Sequence, residues 1–261
     1  MKLTLYRVDA FTDKLFSGNP TAVCPLDKWP SDELMKNIAI ENNLSATAFF
    51  IKEGNDFHIR WFTPTIELNL NGNATLATAH VLVNNLGYKG NELKFNSRSG
   101  MLLVKKESDQ FTLNFPADEY ELVKTPAELA ISLNIKPSEC YKGKSDYMLI
   151  YPSEQDIIKL KPSFAMMAMV DSRGVIVTAP GTKTDFVSRF FAPQSGIDED
   201  HVTGSAHTTL IPYWSARLNK KELKAEQLSA RKGFLNCVNL GNRIELSGKA
   251  ITYLKGEMEL E

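Results

Sequence analysis

Asp56-Phe57-His58-Ile59-Arg60-Trp61-Phe62-Thr63-Pro64 returns 129 residues later as Asp185-Phe186-Val187-Ser188-Arg189-Phe190-Phe191-Ala192-Pro193, with Asp, Phe, Arg, Phe and Pro in register. Apolar and polar side chains alternate through the first copy at the period of a half-buried strand. Each copy then runs into a short polar turn and a mostly apolar helix. The turns read Asn71-Gly72-Asn73-Ala74-Thr75 and Thr203-Gly204-Ser205-Ala206-His207, so the offset has grown to 132 through an insertion of three residues. The second copy approaches its turn through Glu199-Asp200, while asparagines line the first. Two related halves facing each other would put two helix N-termini at one cleft. Unpaired N–H groups and the helix dipole would favour a small anion there.

The chain has 261 residues, and the duplication argues for two domains, divided here as 1–117 and 118–261. Apolar residues make up 43% and charged residues 23%, an ordinary globular composition that excludes disordered and fibrous classes. Thirty Lys and Arg against 31 Asp and Glu, with no long run of one sign, argue against nucleic acid or an anionic membrane as partner. Arg7 and Asp9 interrupt any signal-peptide core, and no apolar run reaches membrane-spanning length, so the cytoplasm is the expected location. Cys24, Cys140 and Cys237 lack CxxC spacing and read as buried free thiols. The four histidines form no HxxxH or HExxH array, so no metal site is expected.

Along the chain, strands are expected at Leu3 to Phe11, Thr21 to Pro25, Thr47 to Lys52 and Phe57 to Thr63, with a helix capped by Ser31 between the second and third. Ala74 to Leu86 is small and apolar around most of its circumference, which calls for a helix enclosed by other structure. Three further strands precede a crossover at Pro116-Ala117-Asp118, after which the order repeats. The last helix, from about Ala206 to Leu218, contains Pro212, which is expected to bend it or delay its start. Arg243 to Leu246 and Ala250 to Lys255 read as two closing strands.

Phe16-Ser17-Gly18-Asn19-Pro20-Thr21-Ala22-Val23, Glu41-Asn42-Asn43-Leu44-Ser45, Arg60-Trp61-Phe62-Thr63-Pro64 and Val202-Thr203-Gly204-Ser205-Ala206-His207 together resemble the PhzF-like isomerases of phenazine biosynthesis. The likeness runs in the same order through Ser229-Ala230-Arg231-Lys232-Gly233. It implies an α/β (α+β) protein of the diaminopimelate-epimerase-like fold: two pseudo-symmetric domains, each a curled sheet around a central helix. It also implies a homodimer that moves a proton on a small-molecule carboxylate with neither metal nor organic cofactor.

The chain departs from the family pattern where chemistry is expected. The glutamate that follows Asn-Leu-Ser is Ala46, and the family's Asp-Leu-Cys-Gly-His is Asn69-Leu70-Asn71-Gly72-Asn73. The proline of Glu-Asp-Pro is His201. Neither alanine nor asparagine can carry a proton near neutral pH. The catalytic candidates are therefore Asp200, His201 and Ser205. Asn19, Ser45, Asn71, Gly72, Asn73, Thr203 and Gly204 are expected to line the ligand, with helix capping as the alternative for Asp200, Ser205 and the asparagines. His80 and His207 lie on the two core helices and read as packed residues, and Phe16, Trp61 and Phe62 as core. Two functions stay open: an isomerase working through Asp200 and His201, or a silent relative that binds a small carboxylate.

Overall fold

The computed structural model describes residues 1–260. The chain divides into two compact units: Met1–Asn114 together with the stretch from Ser247 onward, and Phe115–Leu246.

In the first unit β1 (Lys2–Ala10) runs antiparallel to β2 (Asn19–Leu26), which lies parallel to β3 (Thr47–Glu53). A parallel pair needs a crossover. It is supplied by α1 (Asp32–Asn42), which Ser31 caps by accepting from Leu34 N–H and which Asn43 ends in the left-handed region. β4 (Asp56–Phe62) pairs antiparallel with β3, β5 (Glu67–Leu68) turns back on β4, and the chain enters α2 (Gly72–His80). β6 (Glu92–Ser97) then joins β4 in parallel, and β7 (Gly100–Glu107) and β8 (Gln110–Pro116) follow as antiparallel neighbours. All nine residues of α2 are buried, as its apolar circumference requires. Its small side chains let β1, β2 and β3 close around it. The Thr75 and Thr78 hydroxyls donate to the carbonyls of Asn71 (2.6 Å) and Ala74 (2.7 Å). Each would otherwise cost about 1–3 kcal/mol as a buried unpaired group.

The second unit holds β9 (Tyr120–Leu122), α3 (Ala127–Ile131), β10 (Glu139–Gly143), β11 (Asp146–Ile150), α4 (Glu154–Lys159), α5 (Phe164–Met167), β12 (Gly174–Pro180), β13 (Phe186–Ala192), β14 (Ile197–Asp200), α6 (His207–Leu218), β15 (Glu222–Gln227), β16 (Gly233–Asn239) and β17 (Arg243–Gly248), the last crossing the unit boundary. β11 is parallel to β12, β12 antiparallel to β13, β13 parallel to β15 and β15 antiparallel to β16. These are the senses of β2, β3, β4, β6 and β7. On the inner face Trp214 of α6 stacks on Phe186 at 5.7 Å, and its indole N–H donates to Thr178 Oγ1 at 2.9 Å.

Three findings differ from the sequence expectation. Pro212 does not delay the last helix, which starts at His207 after a 3₁₀ turn over Gly204–Ala206. Proline removes the hydrogen bond to the carbonyl four residues earlier, and that carbonyl, Thr208 O, accepts instead from Asp118 N–H at 3.0 Å. Phe16 is not core: it is 68% exposed with φ +67°, and its N–H donates to Asp9 Oδ2 at 2.9 Å. Trp61 and Phe62 are buried as expected. Finally, β18 (Ala250–Glu259) belongs to the first unit and pairs antiparallel with the whole of β1, with a bulge between Arg7 and Val8. The stretch from 247 that the 118–261 division gives to the second half therefore packs with the first unit.

Cys24, Cys140 and Cys237 are free and buried. Among the described residues no helix is long and apolar enough to cross a membrane.

Candidate functional site

The repeated arginine fixes the approach to each polar turn. In the first unit Arg60 grips Glu67 of β5 with Nε at 2.7 Å and Nη2 at 2.8 Å. In the second, Arg189 grips Glu199 of β14 with the same two bonds at 2.7 and 2.8 Å, while its Nη1 donates to the carbonyls of Ile157 and Leu160. Forked bonds of this kind fix direction as well as energy. They turn the chain back from β4 and from β13 toward the helix that follows. Glu199 is thereby committed to structure, and Asp200 is the next residue on.

In the first unit Asn71 caps α2, its Oδ1 accepting from Ala74 N–H at 2.8 Å, so the capping alternative holds for this side chain. Gly72 and Asn73 form the buried first turn. Asn19 opens β2 with no exposed surface, and Ser45 Oγ donates to its Oδ1 at 2.5 Å. Ala46 is also fully buried, its carbonyl accepting from Ala22 N–H. Asn19, Ser45, Ala46, Asn71, Gly72 and Asn73 include no group able to take up a proton near neutral pH.

The second unit brings its candidates together more tightly. Thr203 Oγ1 donates to Asp200 Oδ2 at 2.7 Å. Behind them stands Gln227, fully buried at the end of β15. Its Oε1 accepts from Thr203 N–H at 2.8 Å, and its Nε2 donates to Asp200 O at 2.8 Å and to Thr203 Oγ1 at 3.1 Å. The turn is thus clamped from both sides, and the half-buried Asp200 carboxylate is held where the helix begins. His201 sits in a bend directly after β14, its carbonyl accepting from Ser229 Oγ at 2.7 Å. Gly204 is buried, and Ser205 is half-buried with its Oγ accepting from Arg173 Nη1 at 2.9 Å.

Gln227 and Arg173 are site residues that the sequence reading passes over. Nothing marks Gln227 in the sequence. Arg173 did leave a signal, because Arg173-Gly174 sets a charge immediately before the apolar strand Val175 to Ala179. Its guanidinium also grips the buried Asp146 through Nε at 2.9 Å and through Nη2. Burial opposes the charge on Arg173. The bonded Asp146 carboxylate outweighs it, with Asp200 and Asp118 adding to the field, so the guanidinium is held above its usual range.

Both core histidines are packed. His80 lies between Thr252 Oγ1 (3.0 Å) and Asn84 Nδ2 (2.9 Å). His207 Nδ1 lies 2.8 Å from Thr203 O, which fixes the proton on that nitrogen because a carbonyl can only accept. Burial depresses each imidazole to about 4, keeping both neutral. Two surface cavities, of about 640 Å³ beside Phe57 and Tyr88 and about 570 Å³ beside Asp118 and Lys142, are lined by none of the candidate residues.

Two units, each a curled sheet around one buried helix entered through a polar turn, define the diaminopimelate-epimerase-like fold. The family model for phenazine biosynthesis-like proteins matches residues 8–256. The chain is 48% identical over 260 residues to an uncharacterized isomerase of Pseudomonas aeruginosa, covering 100% of both. A crystal structure of a phenazine biosynthesis protein of the PhzF family from Enterococcus faecalis superposes with TM-score 0.96 at 46% identity over 100% of each chain. A hydroxyproline epimerase from Agrobacterium vitis shares the fold at TM-score 0.65 and 11% identity, covering 98% of this chain and 92% of that one. The chain belongs to the PhzF-like isomerase family.

Proposed function

We propose that this protein moves a proton on a small carboxylate substrate without a cofactor, with Asp200 as the group that takes the proton and His201 assisting its return. One observation supports the reading above all others: Asp200 is held by Thr203 at 2.7 Å, backed by Gln227, at the start of a buried helix. N–H groups at such a helix start can stabilise the anion that forms as a C–H bond breaks. The positioned carboxylate is the base that the reaction requires. Thr203, Gly204 and Ser205 contact the ligand in this reading.

A second reading has its own observation. Ala46 is buried where the family pattern has glutamate, and Asn71 is committed to capping. On that reading the protein binds a small carboxylate and does no chemistry. The deciding experiment incubates the protein in deuterated water with amino, hydroxy and cyclohexadiene carboxylates and follows each C–H signal by NMR. Exchange that disappears in Asp200→Asn supports the isomerase. Absence of exchange while ligands still shift protein resonances supports the silent binder. The family resemblance also supports a cytoplasmic homodimer, and static light scattering on the purified protein tests the assembly.

A further inference from the structure

Arg173 divides its donors between two tasks. Nε and Nη2 are spent on the buried Asp146, which fixes the guanidinium plane, and the Phe190 ring lies 5.6 Å from the guanidinium carbon. Nη1 is left to donate to Ser205 Oγ at 2.9 Å. A hydroxyl oxygen that accepts a charge-assisted bond keeps its own proton to give elsewhere. Ser205 is not the cap of its helical turn, a position that belongs to Thr203. The arginine side chain is 42% exposed, so a small ligand can reach this end of the strand.

Strand register gives Arg173 a counterpart. Phe62 and Phe191 correspond in the sequence repeat, Phe62 faces Thr47 across β3 and β4, and Phe191 faces Val175 across β12 and β13. Counting back two residues from each partner pairs Ser45 with Arg173, and counting back one pairs Ala46 with Gly174. The first unit thus has at this station a serine bonded to Asn19. The second has a cation bonded to the helix start. Gly174 can contribute no side chain, because a Cβ there would come within 2.3 Å of the Phe190 ring. The polar role at this end of β12 falls to Arg173.

We infer that Arg173 is a positioning residue for ligand recognition in the second unit: it holds Ser205 as a hydrogen-bond donor and strengthens that donor for the carboxylate of a small substrate. The inference rests on the carboxylate reading given above and adds a preference, acceptor groups over donor groups, at the Ser205 hydroxyl. The test titrates 3-hydroxyanthranilate and its primary amide into wild type, Ser205→Ala, Arg173→Gln, Arg173→Lys and the Ser205→Ala/Arg173→Gln double variant. Wild type is expected to prefer the acid. Each single loss should weaken acid binding about 10-fold, with the double variant no worse than either single, because one charge-assisted bond is removed in all three. Arg173→Lys should recover part of the loss, and the amide should respond less. Because Arg173→Gln strands the buried Asp146, a ligand-free measurement stands beside it: Ser205→Ala should shift the guanidinium NMR signals of Arg173. Undiminished acid preference in Arg173→Gln, losses that multiply in the double variant, or unmoved Arg173 signals would overturn the inference while leaving the carboxylate reading standing. Wild type that titrates with neither probe would overturn both.

Discussion

Lowering the pH from about 7.5 to about 5.5 is expected to remove roughly 1 kcal/mol of stability for each of the two buried histidines. Their folded-state values lie near 4 because burial disfavours the imidazolium, whereas an unfolded imidazole titrates near ~6.5. Between those values the unfolded chain binds more protons than the folded one, so stability rises with pH. The contribution is complete above ~6.5 and is lost as pH falls toward ~4. At about pH 5.5 each histidine takes up nearly one proton on unfolding, and integration from about pH 7.5 gives the figure above, or about 2–3 kcal/mol for the pair. The window lies above the carboxylate range, and Arg60 beside Asp32 and Tyr141 beside Glu139 hold those acids lower still. Urea denaturation at the two pH values measures the effect. His80 reports on the first unit and His207 on the second, so His80→Gln and His207→Gln should each remove about half of the dependence. A midpoint that does not move between the two pH values, or an unchanged slope in the double variant, would refute the reasoning.

Ala46→Glu places a carboxyl at a fully buried position on the strand entry; if the missing base limits the reaction, C–H exchange should rise by about 10² or more, and no gain would count against the lost-base reading. Arg189→Met strands Glu199 and two carbonyls and should destabilise by about 3 kcal/mol in denaturant titration. Gly18→Ala puts a Cβ 2.2 Å from the carbonyl oxygen of Ala10 at a position with φ +67°, and neither backbone can give; a loss of at least ~2 kcal/mol is expected from thermal or chemical unfolding.

What the sequence disclosed follows from which forces act locally. The repeated Asp-Phe-Arg-Phe-Pro pattern was legible because strand alternation and an ion-pair arginine leave a fixed spacing, and α2 was legible because a helix buried all round can carry no polar stripe. Glu222-Leu223-Lys224-Ala225-Glu226-Gln227 was not. Its residues favour helix, yet pairing with β13 and β16 makes it a strand. Gln227 was invisible for the same reason: its value lies in where β15 delivers it, at the back of a turn 24 residues earlier. Hydrophobicity alone would bury Phe16, whereas the Asp9 carboxylate holds its backbone in a conformation that turns the ring to solvent. Pro212 does not delay its helix because the Asp118 amide, from a distant segment, bonds the Thr208 carbonyl that the proline leaves without its helical partner.

The pairing of β18 with β1 has a consequence for synthesis. β1 lies beside β18, which is translated after the whole of the second unit, register-matched from Lys2 with Glu259 to Ala10 with Ala250. At ~5–20 residues per second, the ribosome needs roughly 7 to 30 s to pass from Asn114 to the end of β18 at Glu259. Throughout that interval β1 is paired along one edge, by β2, and presents the other edge open. The second unit, continuous from Phe115 to Leu246, can close sooner. The first unit is completed only after the second has been made, and until then a nascent chain needs chaperone protection at the open edge of β1.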